Sequence, residues 1–278
     1  MAKRSERAIS VFEGLVLVIA LAGITVWVGA SRTQTQSATP SITADVHVDP
    51  GKDKRGSNFR FKNLRDADLT ETVLDGADLR DADLTGARFT GAHLPDVQLK
   101  RSKLVGTDFR NATMSHDQFE STVFKQPDFS GANLDGADLS KADLGDARFE
   151  NASLIGAKLA GANLKGADLR GATLARADLC GADLENADLE HANLYRTRLT
   201  GADLRAVVLD DALLWSADLR DARLDSAQVN RAVFTDARLE GVEWAGVDLV
   251  SAFMQYARPI STASLSAAVP DCRPTPGT

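Results

Sequence analysis

An apolar residue at every fifth position limits the folds open to this chain more than any other feature. Residues 177–194 read ADLCGADLENADLEHANL, with a leucine closing each ADL or ANL triplet and an alanine two places before it. A helix repeats every 3.6 residues and a strand every 2, so a spacing of five suits neither. On a helix the leucines would spread around all sides, and on a strand they would alternate between faces. The period therefore predicts a chain that turns a corner once in every five residues.

This pattern extends over most of the chain without losing phase. From Phe59 to Met254, in steps of five, every residue is Leu, Phe, Met, Val or Trp, which makes 40 pentads over residues 57–256. Alanine is usual two places before each central residue, Asp or Asn is frequent one before, and glycine is frequent two after. A fixed period indicates a solenoid, in which no single unit buries its own apolar face. Gly, Asp and Asn bend the backbone at the corners.

Triplets such as ADL at 177–179 and ANL at 162–164 resemble the motif of the pentapeptide-repeat proteins. The resemblance covers residues 57–256 and implies an all-β fold, a right-handed quadrilateral β-helix with four pentads in each coil. The pentads then make about ten coils, a rod of about 48 Å at the spacing of paired strands. The match is weakest over 114–129, where Asp117 stands at an alanine position, and a local kink or bulge is expected there.

The amino terminus predicts one transmembrane helix. Residues 1–13 carry basic side chains, and 14–30 contain no charge, a length at the short end of those that span a bilayer. Because the basic residues come first, we expect 1–13 in the cytoplasm and the repeats outside the cell membrane. The alternative is a signal segment cleaved after VGA at 28–30, which would leave a secreted protein. Residues 31–56 are then a polar linker or amino-terminal cap.

The repeats divide into four faces, because residues 20 apart stack in successive coils. On the face centred on Leu74 and every twentieth residue to Met254, no residue before a central residue is a carboxylate, lysine or arginine. Exposed apolar surface usually marks a partner site, and aromatic residues dominate such contacts. The candidate interaction patch on this face consists of Tyr195, Leu213, Trp215, Val233 and Phe253. We expect a protein partner or a homodimer through the carboxyl-terminal coils; alternatively, the tail at 257–278 covers the patch.

A second face, centred on Leu69 and every twentieth residue to Leu249, is the most acidic. Its candidate acidic residues are Asp168, Asp188, Glu190, Asp210 and Asp211. The family resemblance implies an alternative function here, since some members imitate DNA and occupy type II topoisomerases. Arginines interrupt this acidic stripe, and turn-forming aspartates account for most of it.

No sequence pattern points to catalysis, a metal or a cofactor. The four histidines are scattered, and no phosphate-binding glycine loop, zinc spacing or nucleophile elbow occurs. The 32 basic and 39 acidic residues are intermixed, with a net charge of −7, which argues against a nucleic-acid partner. Cys180 is expected to be an outward-facing free thiol, and a bridge to Cys272 is left open. The sequence thus predicts a non-catalytic, membrane-anchored scaffold for protein–protein interaction outside the cytoplasm.

Overall fold

The computed structural model of the chain describes residues 48–119 and 122–257, together with the backbone of three short strands nearer the amino terminus. Its strands are β1 (Ala20–Leu21), β2 (Ile24–Thr25), β3 (Thr43–Asp45), β4 (Lys62–Asn63), β5 (Lys103–Val105) and β6 (Val123–Lys125). Isolated parallel bridges make up the remaining backbone pairing. The chain divides into two compact units, Met1–Ser41 and Ile42–Thr278.

The first unit contains β1 and β2, which pair antiparallel. These four residues have extended backbone inside the range 14–30, where the sequence predicts a membrane-spanning helix. The other residues of that range lie outside the described part of the chain. Among the described residues, no helix is both long and apolar enough to cross a membrane. The structure therefore does not support the predicted helix.

The second unit repeats every 20 residues on four sides. Parallel bridges join Asn58 to Asp78, Asn63 to Asp83, and the equivalent residues on the other two sides one coil apart. The pattern continues to the bridge between Val233 and Phe253. The prediction of an all-β solenoid with four pentads in each coil is confirmed. Its right-handedness stays an implication of the family resemblance.

Backbone hydrogen bonds link each coil to the next along the axis of the solenoid. The N–H of Leu74 donates to the carbonyl of His93 at 2.7 Å, and the N–H of His93 donates to the carbonyl of Thr72 at 3.0 Å. Within a pentad, the N–H of Ala77 donates to the carbonyl of Leu74 at 2.8 Å and closes a turn. Gly76, inside that turn, has a φ of 64°, which glycine adopts without steric cost. This turn explains why glycine is frequent two places after a central residue.

The core is a narrow ladder of inward side chains. Leu179 and the preceding Ala177 are both 0% exposed. On one face the rings of Phe89, Phe109, Phe129 and Phe149 stack with centroids 5.0 to 5.1 Å apart. Because interiors are close-packed, the alanine positions have room for little else.

The weak stretch at 114–129 is irregular but keeps its phase. β5 and β6 pair in parallel, and Phe119 and Phe124 remain in the core. Asp117 is 1% exposed, and its Oδ1 accepts a hydrogen bond from the Val97 N–H at 3.0 Å. Burial raises the pKa of Asp117 to about 8. This carboxyl group is thus held inside the core at an alanine position.

Coil pairing begins upstream of residue 57, where the first pentad was expected. β3 pairs in parallel with β4, with a register shift between Thr43 and Asp45. Val48 is buried, and Asp53 forms a bridge with Val73. Part of the predicted linker at 31–56 therefore belongs to the coil stack.

At the carboxyl end, larger side chains occupy the inward positions. Trp244 and Met254 are partly buried against the core. The ring of Trp244 meets that of Phe234 edge-on, with centroids 5.8 Å apart. These residues finish the ladder at the last coils.

Candidate interaction surfaces

The structure brings the five residues of the predicted patch onto one side of the solenoid. Bridges stack Asn193, Leu213, Val233 and Phe253 in four successive coils. Tyr195 and Trp215 lie two places after the first two of these. We call this surface the apolar stripe, consisting of Tyr195, Leu213, Trp215, Val233 and Phe253. Leu213 is 41% exposed, Trp215 51% and Phe253 55%.

Two shallow depressions follow the apolar stripe. Asn193, Tyr195, Leu213 and Trp215 line the first. The second lies further along, beside Val233 and Phe253. A surface with both protruding aromatic rings and adjacent concavities can interlock with a partner of complementary shape.

The alternative that the tail at 257–278 covers this patch is not tested by the described residues. Beyond Ala257 the tail lies outside the described residues. Trp215 and Phe253 nevertheless keep about half of their surface open to solvent. Tyr195 is partly buried, with the guanidinium carbon of Arg196 5.1 Å from its ring centroid. The apolar stripe is therefore an open surface.

The predicted acidic face is broken up by positive partners. The Arg170 Nη2 lies 2.7 Å from an Asp168 oxygen, and the Arg170 Nε lies 3.8 Å from Asp188. Hydrogen bonding from Arg170 lowers the pKa of Asp168. Asp211 likewise forms an ion pair with an arginine, Arg231.

The other two predicted acidic residues also have partners. The side-chain amide of Asn230 donates to both oxygens of Asp210, at 3.0 and 2.9 Å. Glu190 lies 3.5 Å from the Nε2 of His191. All five candidate carboxylates are thus on the predicted face, but they do not form a continuous unpaired stripe.

One acidic cluster is not among the residues that the sequence pattern singles out. Oxygens of Asp183, Glu185 and Asp203 lie within 4.8 Å of one another. Lys165 Nζ is 2.7 Å from Glu185, and Arg205 Nη2 is 2.6 Å from Asp203 and 3.0 Å from Glu185. These two cations offset most of the charge of the three carboxylates, which makes the cluster a surface ion-pair network. Asp183 and Asp203 are 20 residues apart, and this spacing could have revealed the cluster from the sequence.

The expectation for Cys180 was wrong. Cys180 is 1% exposed and disulfide-bonded, not an exposed free thiol. Its position, directly after the central Leu179, points away from the core, so burial there requires a cover from outside the coil. Cys272 is the only other cysteine of the chain and lies outside the described residues.

With the four-sided coil and its faces described, the class of protein follows from a sequence comparison. A model of the pentapeptide-repeat family matches the chain in 8 copies, which include residues 55–86, 63–100, 118–154, 132–171, 147–186, 167–205 and 197–236. These matches cover more than half of the chain. The chain belongs to the pentapeptide-repeat family.

Solved structures of this family resemble the chain more weakly. HetL, involved in heterocyst differentiation regulation in the cyanobacterium Nostoc sp. Strain PCC 7120, is 27% identical over 78% of this chain and 91% of HetL, with a TM-score of 0.35. Full-length QnrB1, a plasmid-mediated fluoroquinolone resistance protein, is 21% identical over 68% of this chain and 92% of its own, with a TM-score of 0.26. No curated protein sequence matches the chain significantly. TM-scores this low support no inference about function.

Proposed function

We propose that this protein is a non-catalytic scaffold whose apolar stripe binds a protein partner. The observation that carries the proposal is the contiguous exposure of Leu213, Trp215 and Phe253 on a face without charged residues before its central positions. Exposed apolar patches mark interaction sites, and tryptophan is enriched among the residues that dominate binding. Because backbone pairing fixes the coils, the backbone that carries these side chains loses little freedom on binding.

A second copy of the chain is the first partner to test. The last coil exposes Val250, Phe253 and Tyr256, at 93%, 55% and 74%. The apolar stripe therefore runs into an open carboxyl-terminal end. A two-fold contact between two such ends would bury the same residues from both chains.

We propose further that residues 14–30 hold the protein at the cell membrane, with the coils outside the cytoplasm. The basic residues at 1–13 before an uncharged run support this orientation. The disulfide at Cys180 supports the same side, since disulfides persist in oxidising compartments. Cleavage of 14–30 as a signal segment would place the coils on that side too.

The test replaces Trp215→Glu together with Phe253→Glu and measures mass by light scattering and partner capture by crosslinking. The β signal in circular dichroism should stay intact, while self-association or partner capture is lost. Val123→Glu is the matched control, because Val123 is 53% exposed but lies off the stripe. If the double variant keeps the mass and the crosslinks of the parent protein, the proposal fails.

The competing function is inhibition or protection of a type II topoisomerase by imitation of DNA. It requires a continuous acidic surface, whereas Asp168 and Asp211 are paired with arginines. It also requires a cytoplasmic protein, which the disulfide disfavours. Asp168→Asn with Asp188→Asn should therefore leave a supercoiling assay unchanged, and an effect on that assay would favour this alternative.

A further inference from the structure

One face of the solenoid changes character along its length. We call the part centred on Leu179, Leu199, Leu219 and Leu239 the covered face. Every residue directly before or after these four leucines is buried or partly buried. Earlier on the same face, the corresponding exposed residues are Asn58, Gln98, Gln118, Ser140 and Lys158. On the covered face, Cys180 and Thr200 are buried outward residues, whereas no described residue at the corresponding earlier positions is buried.

The exposure of threonine residues at the same turn position can be compared between faces. Thr70, Thr85 and Thr90 each follow a central residue, as Thr200 does, and all three are partly exposed. Thr200 is 5% exposed. Since the backbone turn is the same, the difference comes from something that lies over Thr200.

Polar atoms further along the covered face show the same effect. The Nε of Arg238 and the Oε2 of Glu240 are shielded from solvent, without a hydrogen-bond partner in the described part of the chain. Both side chains flank Leu239 and point away from the core. Buried polar groups are normally hydrogen-bonded, so a segment that covers these atoms should also supply partners.

The disulfide identifies that segment. Cys180 is bonded, and Cys272 is the only other cysteine available within one chain. From Ala257, in the last coil, 15 residues lead to Cys272, a reach of about 50 Å when extended. Cys180 lies about four coils back, or roughly 19 Å at the spacing of paired strands. The tail therefore reaches with length to spare.

We propose that residues 258–272 dock along the covered face and are fastened there by a disulfide between Cys180 and Cys272. The docked segment shields Thr200 and the polar atoms beside Leu239. It runs along the side next to the apolar stripe, which it leaves open. This inference goes beyond the proposed scaffold role and does not depend on it.

Formation of the bond removes two electrons and two protons from the two thiols. The oxidant is a disulfide of the thiol–disulfide exchange class. The Cys272 thiolate attacks that disulfide, forms a mixed disulfide and releases one external thiolate; the Cys180 thiolate then attacks the Cys272 sulfur of the mixed disulfide and releases the second. The external disulfide leaves as two thiols, which carry the electrons and protons.

The first test measures the thiols of the full chain, purified without reductant. Maleimide added in denaturant should attach no label before reduction and two labels afterwards, one for each cysteine. Digestion without reductant should yield one linked peptide that contains Cys180 and Cys272. Two labels before reduction, or a disulfide-linked dimer, would overturn the proposal.

The second test separates docking from a loose tether by moving the thiol. Cys180→Ser with Thr200→Cys keeps the thiol on the covered face, whereas Cys180→Ser with Glu190→Cys moves it to the same turn position on the opposite face. A docked tail predicts that oxidation in a glutathione buffer is at least about tenfold slower for the Glu190→Cys variant, because the effective concentration of Cys272 is lower there. Circular dichroism checks that both variants fold. Equal rates would show that the tail does not dock.

Discussion

The covered face and the apolar stripe lie on neighbouring sides of the same coils. Their inward residues are equivalent, since Leu199 on one and Leu194 on the other are each 1% exposed. Their outward residues differ, because Thr200 is shielded while Trp215 is half open to solvent. The repeat therefore determines the fold through its inward positions and leaves the outward positions free to vary. Function in such a solenoid is to be sought in the outward residues.

The largest expected effect concerns Asp117. This residue stands at an alanine position, two places before Phe119. It lies on the same side of the solenoid as the covered face, in an earlier coil. Its pKa is raised by burial from 3.8 to about 8. Between these values the native state holds a proton that the unfolded state has lost, so stability is fully present below pH 3.8 and falls as pH rises towards 8. At pH 7 the cost is about 4 kcal/mol.

Asp117→Ala should therefore stabilise the protein by about 3 kcal/mol at neutral pH, after loss of about 1 kcal/mol for the bond to Val97. The Val97 N–H keeps the Leu94 carbonyl at 3.2 Å. Urea unfolding at pH 5 and pH 7 would measure the gain, which should be smaller at pH 5. Ala112→Asp is the control, since it places a carboxyl group on the neighbouring inward column and should destabilise the protein. Identical pH dependence in the parent and Asp117→Ala would contradict the assignment.

The next prediction compares the inward leucine columns of the two sides directly. Leu194→Ala and Leu199→Ala should each cost about 3 kcal/mol, because both remove a fully buried leucine side chain. Urea midpoints would show whether the two costs agree within about 1 kcal/mol. If Leu194→Ala cost much less than Leu199→Ala, the inward columns would not be equivalent.

A smaller effect compares the outward positions. Thr200→Glu should cost about 1–3 kcal/mol, because it places a carboxylate under the cover. Trp215→Glu should change stability by no more than about 0.5 kcal/mol, as exposed substitutions usually do. Thermal unfolding of both variants measures the difference. Equal effects would mean that the two faces are equally open.

The smallest effect lies on the acidic face. Arg170→Gln removes the partner of Asp168, an ion pair with partly exposed side chains, and should cost less than about 1 kcal/mol. Because Arg170 lowers the pKa of Asp168, the contribution of the pair is present above the ordinary carboxyl pKa and is lost as pH falls through the lowered value. An NMR titration should show the pKa of Asp168 rising towards its ordinary value in the variant. An unchanged pKa would refute the pairing.

Much of the fold follows from the sequence because the solenoid is local and periodic. The five-residue period and the stacking of residues 20 apart are sufficient to place Tyr195, Leu213 and Trp215 on one side. The burial of Cys180 does not follow from the repeat, because its cover comes from a segment far away in sequence, which no period describes. Asp117 stands out as an exception to the alanine pattern, but its burial and raised pKa depend on packing. Ala20, Leu21 and Ile24 of β1 and β2 are apolar, and the extended backbone of these strands follows from no periodicity in the sequence.

The proposed role is tested most directly by finding on which side of the membrane the coils lie. A tag on Thr278 would be followed while intact and permeabilised cells that express the full chain are treated with protease. The proposal predicts digestion of the tagged coils in intact cells. Protection until the cells are permeabilised would place the coils in the cytoplasm and contradict it.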